Sequence, residues 1–211
     1  MSSKALTNYQ RGIRARNATW ACFFLLGFAG LAWVPRIPEI KDALGLSDGQ
    51  FGLVLLGSTL GAIPGAQLSG RMVHMYSSKL VVRISGILLP LGVCIMGVAT
   101  NVPVLLVGMF ITGFNVAFMD VAVNGQAVAI EKHTNGRWMS TFHGLWSIGA
   151  FSATLVGGLV ANLMSPRTNL FLISGFCFIA YFFAVHYLLP ADLDGHLGEP
   201  GEETSSKVPL L

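Results

Sequence analysis

Long apolar stretches alternate with short polar ones along this chain. Uncharged runs cover 17–35, 49–70, 84–119, 138–166 and 168–191. A helix that crosses a bilayer needs roughly 20 mostly apolar residues. The run 84–119 is too long for one crossing, and it breaks around 99–103, where Asn101 and Pro103 signal a turn. The pattern predicts six helices, at about 17–35, 50–72, 80–99, 103–129, 138–164 and 168–189. Spans of this kind must be helical, because lipid offers the backbone no hydrogen-bond partner.

Composition agrees with the pattern. Of 211 residues, 53% are hydrophobic and only 11% are charged, where an average soluble domain carries about 25% charged residues. The mean hydropathy is +0.65. A net charge of +3 is too small to imply nucleic acid, and the basic residues form no recognition patch. Cys22, Cys94 and Cys177 are scattered through apolar runs, with neither a disulfide framework nor metal-ligand spacing. They read as small hydrophobes in helix packing. No nucleophile–base set or phosphate loop occurs, so an enzyme is not expected and no cofactor is called for. The first run is long and lacks a small-residue cleavage site after a short core, so it reads as a retained signal anchor.

Lysine and arginine positions set the expected orientation. With the N-terminus inside, Lys4, Arg11, Arg14, Arg16, Arg71, Lys79, Arg83, Lys132, Arg137 and Lys207 are cytoplasmic. Only Arg36, Lys41 and Arg167 fall outside. The expected organisation is a cytoplasmic segment 1–16, a six-helix domain 17–189 and a polar, flexible cytoplasmic tail 190–211. The setting is a plasma (inner) membrane with both termini inside.

The second three spans echo the first three. Gly27-Phe28 matches Gly113-Phe114, Gly61-Ala62 matches Gly149-Ala150, and Ile84-Ser85-Gly86 matches Ile173-Ser174-Gly175. Three helices per copy is an odd number, so the second copy enters the membrane from the opposite side. The fold expected is all-α, a polytopic membrane protein with a 3+3 inverted repeat of the kind secondary transporters use. Gly57, Gly61 and Gly65 recur every four residues in the second span, and Gly149, Ala153 and Gly157 do so in the fifth. Small residues at this spacing let helix backbones approach closely, and they suggest that these two spans slide or rock. Such stripes are equally common in membrane proteins that transport nothing.

Asp120 interrupts the apolar sequence FMDVAVNGQ (118–126), with Asn124 one turn later on the same face and Asn115 earlier. A charged Asp at mid-membrane costs roughly 2.5–3.5 kcal/mol on the mildest scale, so it should face protein or water. A carboxylate that exchanges its proton there is a usable proton carrier. His143 opens the fifth span at a depth of roughly 8 Å, and Asp120 lies roughly 13 Å deep in the fourth. The two side chains could meet in the inner half of the membrane and titrate as a pair. A purely structural interhelical hydrogen bond is the alternative. Gln126 falls just past the Asp120 face, near the inner surface, and is assigned no role, while Gln67 and His186 read as structural groups near the membrane edges. Trp20, Trp33, Trp138 and Tyr187 read as interfacial anchors, and Trp146 as either packing or a cavity wall.

The stretches FITGFNVAFMDVAVN (110–124) and GRWMSTFHGLWSIGA (136–150) carry a family resemblance. Over 17–189 the chain resembles the N-terminal six-helix half of a major facilitator superfamily transporter, most closely the fucose-permease-like branch and related bacterial inner-membrane permeases. The resemblance implies alternating access around a cavity lined by the first, second, fourth and fifth spans. It also implies that Asp120 serves proton coupling and solute binding. Two departures stand out. The loop after the second span, GRMVHMYSSK (70–79), keeps Gly70 and Lys79 but has His74 where the family places a gating Asp and Ser77 where it places a Gly. The first span lacks the second acid of sugar symporters.

The expected function is secondary active transport of a small polar solute, a sugar being one candidate, coupled to protons. Uncoupled or drug-like efflux is the alternative within transport. A non-transporting partner subunit derived from a transporter half is the alternative outside it. A water or glycerol channel ranks below these, because the paired Asn-Pro-Ala half-helices it expects are missing. The partners expected are the lipid bilayer, the solute, protons and a second six-helix half, either in the same chain beyond Leu211 or in another copy. Nucleic acid is not among them.

Overall fold

The structure, a computed structural model, describes residues 3–196, with side chains from Thr7 onward. Residues 197–211 of the expected tail, with Lys207, and the side chain of Lys4 lie outside the described residues. The described chain is all-helical. The elements are α1 (Ser3–Gly30), a 3-10 turn (Val34–Arg36), α2 (Ile37–Ala43), α3 (Asp48–Met75), α4 (Ser78–Gly97), α5 (Val102–Thr134), α6 (Met139–Leu159) and α7 (Pro166–His186). The six predicted spans correspond to α1, α3, α4, α5, α6 and α7.

Five of these are long and apolar enough to cross a membrane. The exception is α6, which the sequence pattern counted as a sixth crossing. It is 21 residues long, but His143, two threonines, three serines and four glycines lower its hydropathy.

Local chemistry explains the helix ends. Ser47 caps α3 in a reciprocal capping box with Gln50. Asn101 accepts from the Val104 amide to start α5, with Pro103 just inside. Ser165 accepts from the Thr168 amide at α7. At its far end α5 runs on through Glu131 and Lys132 to Asn135, whose left-handed backbone (φ 50°) closes the helix. The first helix starts well before residue 17. Arg11, Arg14 and Arg16 are good helix formers, and Gly12 lies against His133 and Thr134 at the end of α5. The prolines at 35 and 38 open the 3-10 turn and α2 in what was expected to be plain loop.

Two close crossings organise the helices. In the first, α1 crosses α6. A Cβ on Gly27 would collide with the Trp146 carbonyl oxygen, and one on Gly149 with the Phe24 carbonyl oxygen. In the second, α3 crosses α5. A Cβ on Gly61 would collide with the Phe110 carbonyl oxygen, and one on Gly113 with the Ser58 carbonyl oxygen. The geometry is reciprocal each time: the glycine of one helix sits on the carbonyl three residues before the partner's glycine. Gly65 extends the second crossing by meeting the Phe114 carbonyl, and Gly57 rests 3.2 Å from Leu106. At the other end of the first crossing, Gly157 meets the Pro35 ring, and Ala153 is fully buried between them. Two further glycines, Gly92 and Gly108, bring α4 onto α5, and Gly86 brings it onto Tyr181 of α7.

Side-chain bonds fasten both ends. Arg36 is fully buried. Its guanidinium donates to the carbonyls of Gly157 (3.4 Å) and Met164 (2.6 Å), and the Glu39 carboxylate lies 3.0 Å from Nε. A cation there complements the negative end of α6. At the opposite end Glu131 accepts from the amides of Trp138 and Met139, an anion at the start of the same helix.

The chain does not become a flexible tail at Pro190. Leu188, Leu189 and Asp194 are buried, and residues 190–196 turn back over the start of α4. Asp194 Oδ2 accepts from the Ser78 amide (2.8 Å) and hydroxyl (2.6 Å), while Oδ1 accepts from the His196 amide (3.2 Å). Gln126 of α5 donates to the Ser78 hydroxyl (2.8 Å) and the Leu189 carbonyl (3.0 Å), and accepts from the Leu189 amide (2.9 Å). Lys79 Nζ donates to the carbonyls of His186 (3.0 Å) and Leu188 (3.2 Å). Over 190–196 the structure differs from the expected tail because these polar residues have buried partners far back in the sequence.

Replacing Gly149 or Gly61 by Leu is expected to cost about 1–3 kcal/mol or more, the range for overpacking, seen as earlier thermal unfolding in detergent. Gly175→Leu, at a position with nothing near its Cβ, should leave unfolding unchanged. Asp194→Ala should cost about 1.5–3 kcal/mol, the range for hydrogen bonds to a charged group. Hydrogen exchange at the Ser78 amide reads that loss directly.

Candidate functional site

The polar residues singled out from the sequence lie on α5 and α6, with Asp120 and Asn124 on one face of α5 and Asn115 on the other, buried side. Asn115 is almost fully buried. Its Nδ2 donates to the Ile111 carbonyl one turn back (2.8 Å), while its Oδ1 is buried without a partner. Buried amide oxygens usually find a donor, so Asn115 holds an unused acceptor inside the bundle. Asp120 is half-buried. Asn124 Nδ2 donates to the Asp120 main-chain carbonyl (2.8 Å), and its side chain also lies beside the Asp120 carboxylate.

His143 is exposed on α6. Its ring stands edge-on to Phe23 of α1, with centroids 5.3 Å apart. It is near enough for its charge to bear on Asp120, yet among the described residues the two form no direct ion pair. The reason is the choice of helix partners. α6 packs chiefly on α1, where Phe23 also stacks on Phe142, and touches α5 only slightly. Depth along the membrane placed the two residues at similar levels, but it could not show which neighbour α6 would take.

Other candidates take structural places. Gln126 belongs to the buried bonds around Ser78. Trp20 and Trp138 meet edge to face at 6.2 Å, and Arg16 lies 4.4 Å and 4.6 Å from their ring centres. A cation on two indole faces is held in place by their quadrupoles. The Trp146 side chain is half-buried. Of the stretch expected as a loop, Gly70 and His74 lie in the last turns of α3 and are exposed, and Lys79 bonds the carbonyls of His186 and Leu188 at the end of α7 rather than an acid in that stretch. The acid that grips the start of α4 is Asp194. Its only sequence signal was an Asp-Leu-Asp-Gly turn after the last span.

The exposed faces divide by polarity. On α7, the exposed residues from Phe171 to Phe183 are aromatic, aliphatic or glycine. On α6, Ser140, Thr141, His143, Ser147 and Thr154 are exposed, together with Ile148, Phe151, Leu155, Val156 and Leu159. The first face suits lipid. The second is mixed, with most of its polar side chains in the first half of the helix.

The profile of the Major Facilitator Superfamily matches residues 19–210. An uncharacterized MFS-type transporter of Yersinia pestis is 31% identical over 162 residues, covering 75% of this chain and 42% of that protein. An uncharacterized transporter of Sinorhizobium fredii is 30% identical over 154 residues, covering 73% and 41%. The membrane protein MosC of Rhizobium meliloti is 28% identical over 166 residues, covering 79% and 41%. The chain therefore spans about two fifths of the length of the curated relatives it matches. With its apolar helices, its small-residue crossings and a match covering nearly all of its membrane part, the chain belongs to the Major Facilitator Superfamily of membrane transporters.

Proposed function

We propose that the chain forms one lobe of a secondary active transporter for a small polar solute, working by alternating access. Its basic end and both termini face the cytoplasm, in a plasma (inner) membrane. The polar side chains on the first half of α6, with the half-buried Asp120, carry this reading. Lipid would penalise them, whereas a water-filled path between two lobes would accommodate them. The second lobe, in the same chain beyond Leu211 or in another copy, closes the path against α3 and α6.

The reciprocal glycine crossings support reading the six long helices as a 3+3 inverted repeat. Gly113 follows Gly27 by 86 residues, and Gly149 follows Gly61 by 88. The carbonyls they meet keep the same offsets, from Phe24 to Phe110 and from Ser58 to Trp146. Exchanging the two copies therefore turns one crossing into the other.

Asp120 is the proton-carrying residue in this proposal. Its two protonation states favour different conformers, which ties solute movement to the proton gradient. His143 tunes that equilibrium through charge across the gap between α5 and α6. Asn115 and Asn124 offer amide groups to the solute. A sugar is the favoured class, because paired hydroxyls suit amide donors and acceptors and because the Asp120 stretch resembles that of sugar symporters.

The test uses the complete polypeptide in proteoliposomes with an internal pH dye and a panel of sugars and polyols. Addition of the right solute should draw protons inward, and Asp120→Asn should reduce that signal to the level of empty vesicles. Uptake and pH dependence unchanged in the variant would remove the proton role. Uptake indifferent to collapse of the pH gradient would favour uncoupled transport, and stable pairing with another protein without solute binding would favour a partner subunit.

A further inference from the structure

Two apolar grooves flank the basic end of α7, and they meet at a shared polar pocket. The first, about 470 Å³, lies between α4 and α7, with Ile87, Phe178 and Phe182 as walls and Arg83 and His186 at its mouth. The second, about 550 Å³, lies between α1 and α7, with Ala21, Ala180 and Phe183 as walls and Arg14 and Tyr187 at its mouth. The pocket joining them, about 250 Å³, is lined by Arg11, Arg14, Lys79 and His186. Among the described residues, no carboxylate lines any of the three. Asp192 lines a neighbouring pocket that shares Arg11, and Asp194 is committed to Ser78 and His196.

These cations have little to neutralise them. Arg11, Arg14 and Arg83 make no ion pair among the described residues. Lys79 Nζ uses two of its three hydrogens on carbonyl oxygens and keeps the third. Arg83 adds a like charge next to Lys79. His186 Nδ1 is bonded to the Phe182 carbonyl (2.7 Å), so Nε2 is left toward the pocket's surroundings. A lone positive surface of this kind could follow from orientation alone, since inner ends of spans collect Lys and Arg. The grooves add what orientation does not require: two apolar slots, one on each side of a single helix, that converge on the charges.

We propose that an anionic diacyl phospholipid of the inner leaflet straddles α7, one acyl chain in each groove and its phosphate in the Arg11–Arg14–Lys79–His186 pocket. The charge complements the pocket, and the paired grooves match a headgroup that carries two chains. The position has a mechanical meaning, because the pocket sits on Lys79 and on the carbonyls that tie the post-α7 turn to α4. The lipid would brace that junction from outside. The inference uses only the membrane placement of this end, so it stands apart from the solute and proton reading.

The experiment is native mass spectrometry of the complete, detergent-purified protein titrated with dioleoylphosphatidylglycerol and, separately, with dioleoylphosphatidylcholine. The phosphatidylglycerol adduct should form about tenfold more tightly. The double variant Arg14→Gln/Arg83→Gln should remove that preference, each basic group near a membrane surface being worth roughly a fivefold change in binding. Arg71→Gln, at an exposed basic position on α3, should leave it intact. Ile87→Trp, which fills one groove and keeps every charge, should weaken both lipids. It also keeps the test open if the double variant does not fold. Equal losses in Arg71→Gln and the double variant would mean diffuse surface charge and would overturn the site. Displacement of the lipid by millimolar inorganic phosphate would mean a free-anion pocket and would overturn it too, as would full binding in Ile87→Trp.

Discussion

The contact on which the rest of this structure depends is backbone against backbone. Within a bilayer, lipid tails are as apolar as leucine, so burying apolar side chains does not by itself drive helices together. Close packing must supply the attraction, and close packing needs surfaces without side chains. The crossings of α1 with α6 and of α3 with α5 meet that need with a glycine from each helix on the other's carbonyl. Contact this close also favours weak Cα–H···O bonds. Because each crossing fixes its two helices relative to one another, the positions of α4 and α7 follow, leaning on α5 and on each other through Gly92, Gly108 and Gly86.

Much of this was legible in the sequence, for physical reasons that differ from residue to residue. The spans were legible because a bilayer imposes a length and a composition, and Asn101 with Pro103 punctuated the one ambiguous run. The glycines were legible as a repeated order, though not as partners: nothing in a stripe says which helix it will meet. The ends were harder. Arg11 to Arg16 read as a cytoplasmic segment outside the first span because charge looks like solvent, yet long basic side chains continue a helix well. Asp194 and Ser78 are 116 residues apart, and no local pattern links a turn after α7 to a cap on α4. Asp120, Asn124 and His143 stood out by polarity alone. Their spacing along α5 was predictable, whereas the gap between Asp120 and His143 depended on α6 choosing α1.

The exposed faces of α6 and α7 differ in composition. From Phe171 to Phe183 the exposed residues of α7 are apolar or glycine, while α6 mixes serine, threonine and histidine with leucine, valine, isoleucine and phenylalanine. The small-residue crossings make that division possible. They spend glycine on contact and leave the outward faces of α6 and α7 free to differ.

The bonds around Asp194 bear on the order in which the protein takes shape as it is made. Ser78 and Gln126 emerge from the ribosome long before residue 194, and until then the buried end of α4 has only the Ser77 hydroxyl to hold its first turn. The carboxylate that completes it comes only after α1 to α7 have been synthesised. The bundle at this end therefore stays unlatched during insertion, and it locks only when the helices are already side by side.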